Sequence, residues 1–458
     1  MISAQIDAPA GPTLRRSIGP AQLTLYALGS MLGSGIYGLI GRAAGEVGNA
    51  VWLSFLVALV AALLTALSYA SLGSRHPRAG GAAYVTQRAY RLPIVSFMVG
   101  LALVCSGLTS VATQSRVFAA NIASLLDIPA LPLWSIAIGF VLLLSGIVFR
   151  GIRESMWVNV VCTLVEAAGL LLVISVGISY WGSVDYLAGP ADSGDAPLAL
   201  LIVQGAILTF FAFIGFEDTI NVAEEAHEPE RTIPIALALA TGIAALLYIA
   251  IAITSVSVVP AAELAAAPSP LSEVMRRAAP AFPPVVLTLI TLFAVANTAL
   301  VNYITSSRLV YGMARQGLLP ARLGEVHPAT HTPHVAIGAL MLVLVPLALF
   351  GTIAQLASAT VLMLLLVFAV VNGSLIILQR RRGEKPGAFE VPAAVPVIGA
   401  LVCAALILAR LASSDWQAPA LAAALLSGIC AIYAVLRPEP IPEDEDEEEG
   451  SAAAPVRR

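Results

Sequence analysis

Apolar residues run along this chain in blocks of bilayer-crossing length, and short polar joints separate them. A hydrocarbon core about 30 Å thick needs roughly 20 apolar residues per helix. Such blocks fall at 18–43, 48–73, 93–126, 132–150, 153–181, 198–226, 232–258, 284–315, 334–351, 354–379, 396–413 and 417–437. The pattern predicts an all-α membrane protein of twelve transmembrane helices, with little chain left for a soluble domain. Composition agrees, since 59% hydrophobic and 11% charged residues over 458 positions exclude an ordinary soluble protein.

Two blocks, the first and the sixth, are interrupted near mid-length. The first reads Leu28-Gly29-Ser30-Met31-Leu32-Gly33-Ser34-Gly35-Ile36-Tyr37-Gly38, and the sixth carries Gly215 followed by Phe216, Glu217 and Asp218. Breaks at corresponding places in two halves point to a transporter's substrate site, because unwound backbone there offers free N–H and C=O groups. Five helices per half is an odd number, so helices 1–5 and 6–10 would have opposite orientations. The expected organisation is a cytoplasmic segment 1–17, a first repeat 18–181, a second repeat 198–379 and two additional helices at 396–437. An acidic, low-complexity cytoplasmic tail follows at 438–458 and is expected to be disordered.

Charge fixes the expected orientation. Of the 24 basic residues only Lys385 is a lysine. Arg15, Arg16, Arg75, Arg78, Arg88, Arg91, Arg150, Arg153 and Arg231 precede odd-numbered spans; Arg315, Arg322, Arg380, Arg381, Arg382 and Lys385 continue the series. By the positive-inside rule both termini are cytoplasmic, in a multi-pass cell-membrane protein. The arginine and alanine bias suggests a GC-rich bacterial genome, hence a bacterial inner membrane. No small-residue cleavage site follows the first apolar block, so that block is expected to remain in the mature protein.

Several chemistries have no foothold. The four cysteines lie inside apolar runs without metal-ligand spacing, and all five histidines fall in predicted cytoplasmic joints. No His-Glu-x-x-His and no Gly-x-x-x-x-Gly-Lys-Ser/Thr occurs, which argues against an intramembrane metalloenzyme and an ATP-driven pump. Neither a metal, a cofactor nor a nucleic-acid partner is expected, and the chain is not read as an enzyme.

At the broken helices the sequence resembles the amino acid, polyamine and organocation permease superfamily. The likeness covers helices 1–10. It rests on Gly33-Ser34-Gly35-Ile36, on Phe213-Ile214-Gly215-Phe216-Glu217 with Glu224, Glu225 and Pro229 downstream, and on Ser307-Arg308, Tyr311, Met313-Ala314-Arg315, Gly317, Leu319-Pro320 and Pro333. It implies the five-plus-five inverted-repeat fold of bacterial leucine transporters and alternating-access transport of an amino acid or amine. It also implies that Ser34, Gly35 and Ile36 bind the substrate α-carboxylate, that the carbonyls of Phe211, Ala212, Phe213 and Ile214 face its ammonium group, and that Phe211 gates the site. A competing reading is that Gly29 and Gly33 form a Gly-x-x-x-Gly helix-packing motif.

Ionisable residues inside the membrane are functional by default. Glu217 reads either as a helix cap or as a proton sensor or cation ligand, and Asp218 the same with less weight. Glu166 stands halfway along the fifth helix, on a face with Asn159, Cys162, Thr163 and Gly169, where proton-coupled relatives commonly carry a lysine. It is a candidate proton-coupling site, with a rival reading as a structural carboxyl bonded to Thr298, Asn302 or Thr305 on helix 8. Arg116, inside helix 3, must snorkel outward or pair with an acidic residue. The proline-rich segment from Pro260 to Pro284 is expected to hold a short surface helix, and is either a cap over the outer vestibule or a connector. The expected function is proton-coupled amino acid uptake, with sodium as the other coupling ion to consider. An amino acid or amine exchanger, a channel and a non-transporting sensor stand as alternatives.

Overall fold

The computed structural model describes residues 14, 16–126, 132–190, 197–267, 269–350, 353–411 and 417–438. Every predicted block has a helical counterpart. In chain order these are α1 (Pro20–Val47) and α2 (Val51–Arg75), then α4 (Pro93–Leu126), α5 (Leu133–Arg150) and α6 (Ile152–Gly177) after a short α3 (Gly81–Tyr90). The sixth block is α7 (Leu198–Phe210) with 3-10 segments at Phe211–Phe213 and Phe216–Glu225. Then come α8 (Pro229–Val258), two short helices α9 (Ala261–Ala266) and α10 (Pro270–Ala278), and α11 (Pro284–Arg315). The set ends with α12 (His334–Phe350), α13 (Ile353–Arg380), α14 (Ala394–Leu411) and α15 (Gln417–Leu436). Seven helical stretches among the described residues are long and apolar enough to cross a bilayer, and four shorter apolar helices accompany them. The protein is a multi-span all-α membrane protein, and its described residues hold one isolated β-bridge, Ile18 to Ala226, and no strand.

α3 is too short for the block pattern to disclose, whereas α9 and α10 fall in the proline-rich segment where a short helix was expected. α3 is amphipathic, burying Ala82, Ala83, Val85 and Ala89. α9 and α10 lie on the C-terminal half of α1, where Gly41 and Gly45 leave room: a Cβ on Gly41 would stand 2.5 Å from the Leu264 carbonyl oxygen. The acidic tail, from residue 439 on, lies outside the described residues.

α1 is the central helix, packed on α6, α7, α8 and α11. Its N-terminal end is tied to the end of the sixth span: the N–H groups of Ser17 and Ile18 both donate to the Glu225 carbonyl at 2.9 Å, and the His227 N–H donates to that of Ile18. The Glu225 side chain receives a forked ion pair from Arg308 of α11, Nε to Oε2 at 3.0 Å and Nη2 to Oε1 at 3.2 Å, while Nη1 donates to Ser307 Oγ. Both side chains are fully buried. A guanidinium matches a carboxylate in two parallel bonds, so the geometry is of the kind that can offset desolvation. Where the chain breaks helix rules it is repaired locally. Pro234 inside α8 cannot donate to the Glu230 carbonyl, and Ser74 Oγ of α2 donates there instead at 2.7 Å.

Arg116 meets backbone carbonyls of α12. Its guanidinium donates to the carbonyls of Ala348 and Leu349 at 2.8 and 2.9 Å, serving the last turn of α12, where cations are favoured by the free carbonyls. At the end of the molecule that carries most arginines, the α2–α3 and α13–α14 joints are clasped together. Glu384 accepts from His76 Nε2 at 2.8 Å and Arg88 Nε at 2.9 Å, Arg75 pairs with Glu390, and Arg381 donates to the carbonyls of Arg88 and Ala89. Burial first, and then the Arg88 guanidinium, lowers His76 to about 4 although Glu384 opposes it. Burial raises the Glu384 carboxyl, but the Arg88 hydrogen bond and the charges of Arg88 and His76 outweigh this and hold it below the usual carboxylate range.

Four outcomes are expected. Arg308→Met, which strands the Glu225 carboxylate in the interior, should lower stability by about 3–5 kcal/mol, and replacing both partners by apolar residues should recover much of that loss, read by thermal unfolding in detergent. Gly215→Ala should prevent folding, because Gly215 has φ 126° and a Cβ there would stand 2.7 Å from the Ser30 backbone. Gly242→Ala, with open space around it, should change stability by no more than about 1 kcal/mol. As for pH, the unfolded chain protonates His76 near 6.5 and the folded one only near 4, so the unfolded state holds more protons between them. Its contribution is complete above pH 6.5 and falls as pH drops toward 4; His76→Gln should flatten that acid-side decline in melting temperature.

Candidate functional site

Among the described residues of α1, Gly33 has non-helical torsions, φ 8° and ψ −179°, which places the break in the first span there. The break in the sixth span is wider. α7 ends at Phe210, a 3-10 turn spans Phe211–Phe213, and the chain resumes at Phe216 as a 3-10 helix where an α-helix was expected. Gly215 is the pivot and lies flush on Ser30, so the two breaks touch.

Tyr248 of α8 ties them together. Its hydroxyl lies 2.6 Å from the Met31 carbonyl oxygen and 3.0 Å from that of Ala212, its one proton shared between the two. The ring is buried between Phe55 and Phe213, with centroids 5.9 and 5.2 Å away. A second tie joins the same spans: Ser30 Oγ donates to Asp218 Oδ2 at 2.5 Å, and Thr305, itself 2.8 Å from the Tyr26 hydroxyl, also bonds Asp218. Glu217 turns back on its own segment, Oε2 accepting from the Gly215 N–H at 2.8 Å. That is the capping geometry, adopted at a glycine turn before a 3-10 helix.

A cavity of about 150 Å³ opens beside this junction, which is room for a small molecule rather than a single water. The broken spans supply Ser30, Met31, Gly33, Ala212, Ile214, Gly215, Glu217 and Asp218. The opposite members are Thr298 and Asn302 of α11, Leu364 of α13, and Ser106, Ser110 and Gln114 of α4. Among the described residues the lining includes two carboxylates and no lysine, arginine or histidine.

The sequence candidates distribute unevenly over this geometry. Ala212, Ile214, Glu217, Thr298 and Asn302 line the cavity. Thr305 stands behind it against Tyr26 and Asp218. Ile36 is buried in the apolar core, and Phe213 packs against Tyr248. The side chains of Ser34 and Phe211, the proposed gate among them, lie outside the described residues, and Gly35 is without described surroundings. Glu166 is fully buried away from the cavity lining. Its partner is Asn297, whose Nδ2 reaches Oε2 at 3.5 Å; neither Thr298, Asn302 nor Thr305 bonds it, because those three face the other side of α11. Asn297 is held in turn by Asn159 and Thr163 at 2.8 and 2.9 Å, and Glu166 Oε1 has no hydrogen-bond partner among the described residues. This cluster lies directly under Gly29, where a Cβ would stand 2.1 Å from Thr163 Oγ1; Gly33 likewise abuts Thr298. Close packing and chain opening are thus both served by the glycines of α1.

Ser106, Ser110 and Gln114 escaped the sequence reading, although their four-residue spacing in an otherwise apolar span marks one polar helix face. Tyr248 carried no signal at all.

Residues 18–428 match the amino acid permease family. Among curated proteins the chain is similar to a branched-chain amino acid permease of Bacillus subtilis, 28% identical over 86% of this chain and 88% of that one. It is also similar to a methylthioribose transporter of the same organism, 28% identical over 85% and 87% of the two chains. Mouse cationic amino acid transporter 4 is 30% identical over 82% of this chain, which spans only 61% of that longer protein. With a match running from the start of the first span into the last, the chain belongs to the amino acid permease family, within the amino acid, polyamine and organocation superfamily.

Proposed function

We propose that this protein is a secondary active transporter that takes up an amino acid by alternating access, coupled to protons. The observation that carries the reading is the cavity at the junction of the two broken spans, with carboxylates and, among the described residues, no cationic side chain in its wall. Free backbone groups and helix ends at such a junction suit a zwitterion. The Ser34, Gly35 and Ile36 amides are assigned to the substrate carboxylate. The ammonium falls to the carbonyls of Phe211, Phe213 and Ile214, with that of Ala212 already shared with Tyr248, and Glu217 and Asp218 supply the negative field that favours a cation there. Phe211 is the gate.

The repeats 18–181 and 198–379 place the breaks in equivalent spans, and 396–437 is an appendage to them. The arginine-rich end is cytoplasmic and carries both termini, in a bacterial inner membrane. The Arg308–Glu225 pair and the Ser17, Ile18 and His227 backbone bonds then close the cytoplasmic side of the site, and release inward requires that they part.

Glu166 is the coupling carboxyl. Its cluster abuts Gly29, one turn from the break at Gly33, so a proton gained or lost there acts on the helix that forms the cavity wall. In proteoliposomes, an inward proton gradient should stimulate uptake of one amino acid class, and Glu166→Gln should transport with that stimulation and its pH dependence gone. Unchanged pH dependence in Glu166→Gln would remove Glu166 from coupling. Uptake seen only with preloaded substrate would make the protein an exchanger, and binding without uptake a sensor.

A further inference from the structure

The α4 face of the cavity is built for hydrogen bonding. Ser106, Ser110 and Gln114 recur every fourth residue and all three line it. α4 approaches this closely because Gly107 has no side chain: a Cβ there would stand 2.3 Å from Ser306 Oγ of α11. Asn302, on the same side of the cavity, anchors its Nδ2 on the Thr298 carbonyl at 2.8 Å, which fixes its amide beside this stripe.

Helical hydroxyls in an apolar setting normally turn back on the carbonyl of the preceding turn. Thr109 bonds Cys105 in this way within the same helix, as do Ser68 with Leu64 and Ser145 with Val141 elsewhere. Ser106 and Ser110 do not; among the described residues neither hydroxyl has a hydrogen bond within the protein. Two hydroxyls without a partner, both opening on one cavity, are positioned to bond a ligand. The charge distribution limits which ligand. Among the described residues no ionisable side chain of α4 or α11 lines the cavity, and the two carboxylates, Glu217 and Asp218, stand on the far wall at the broken sixth span. A guanidinium or ammonium at the end of a side chain would meet hydroxyls and an amide but no carboxylate on the α4 face. A purely apolar side chain would bury two hydroxyls and leave them unpaired.

Resting on the transport reading above, we infer that the substrate is a neutral amino acid with a hydroxyl or carboxamide side chain, of the serine, threonine, asparagine and glutamine class, and that Ser106, Ser110 and Gln114 select it. A site built to hydrogen-bond a substrate group rejects the analogue that lacks it far more strongly than an apolar pocket rejects an added hydroxyl.

The test uses isosteric pairs in competition for uptake by the full chain in proteoliposomes: threonine against valine and asparagine against leucine, with lysine as the cationic probe. Wild-type protein should favour the polar member of each pair by about 10-fold or more. Ser110→Ala and Gln114→Leu should each cut that ratio by about 5-fold or more, consistent with the loss of one hydrogen bond. A ratio within one protein is independent of how much of it is folded, and Ser106→Ala gives a second small substitution should Gln114→Leu be poorly made. Valine or leucine taken up as well as its polar partner, lysine preferred over all, or ratios unmoved by the substitutions would overturn the inference while leaving amino acid transport intact. No uptake or binding of any amino acid, alanine included, would overturn the transport reading and this inference with it.

Discussion

Inside a bilayer core no water is present to satisfy a backbone N–H or C=O, so a helix can be interrupted there only if other parts of the protein take up the groups it frees. The architecture around the two breaks follows from that constraint. Tyr248 places one hydroxyl against the Met31 and Ala212 carbonyls, one from each broken span. Ser30 and Thr305 meet Asp218, and Glu217 takes the Gly215 N–H. What remains open beside these ties is the cavity. The site is thus the residue of an incomplete repair, and its polarity is inherited from the backbone that could not be sealed.

The same constraint explains why α1 lies at the centre with so many small residues. Gly29 seats the Asn159, Thr163 and Asn297 cluster against it, Gly33 meets Thr298, and Gly41 and Gly45 admit α9. A helix surrounded on every face, and broken in the middle, is held by contacts at its ends. At one end these are the Glu225 carbonyl and the buried Arg308–Glu225 pair. Buried ion pairs hold a geometry in place only while both partners stay together, because either charge alone is badly solvated there. That property suits a closure which is either fully made or fully parted.

Glu166 illustrates how local chemistry and placement divide the work. A carboxyl in the middle of an apolar span is conspicuous in sequence, but its neighbours are set by the rotation of α11. Asn297 and Thr298 are adjacent in the chain, yet one turns to Glu166 and the other to the cavity. The expectation that Thr298, Asn302 or Thr305 would bond Glu166 assigned the polar stripe of α11 to the wrong side by a single residue, about 100° of helix.

The sequence by itself determined the all-α membrane class, the succession of twelve apolar blocks, the two interrupted spans and the concentration of arginine at alternate joints. Each of these depends on local composition set against the thickness and dielectric of a bilayer, which any window of 20 residues carries in full. Which side chains converge on the cavity was decided only in three dimensions. Ser106, Ser110 and Gln114 come from α4, Leu364 from α13, and Tyr248 crosses from α8 to join two spans more than 180 positions apart in sequence. Their meeting depends on helix rotation and on the close approaches that Gly107 and Gly215 allow, and no pattern within a single span encodes the partner it will face.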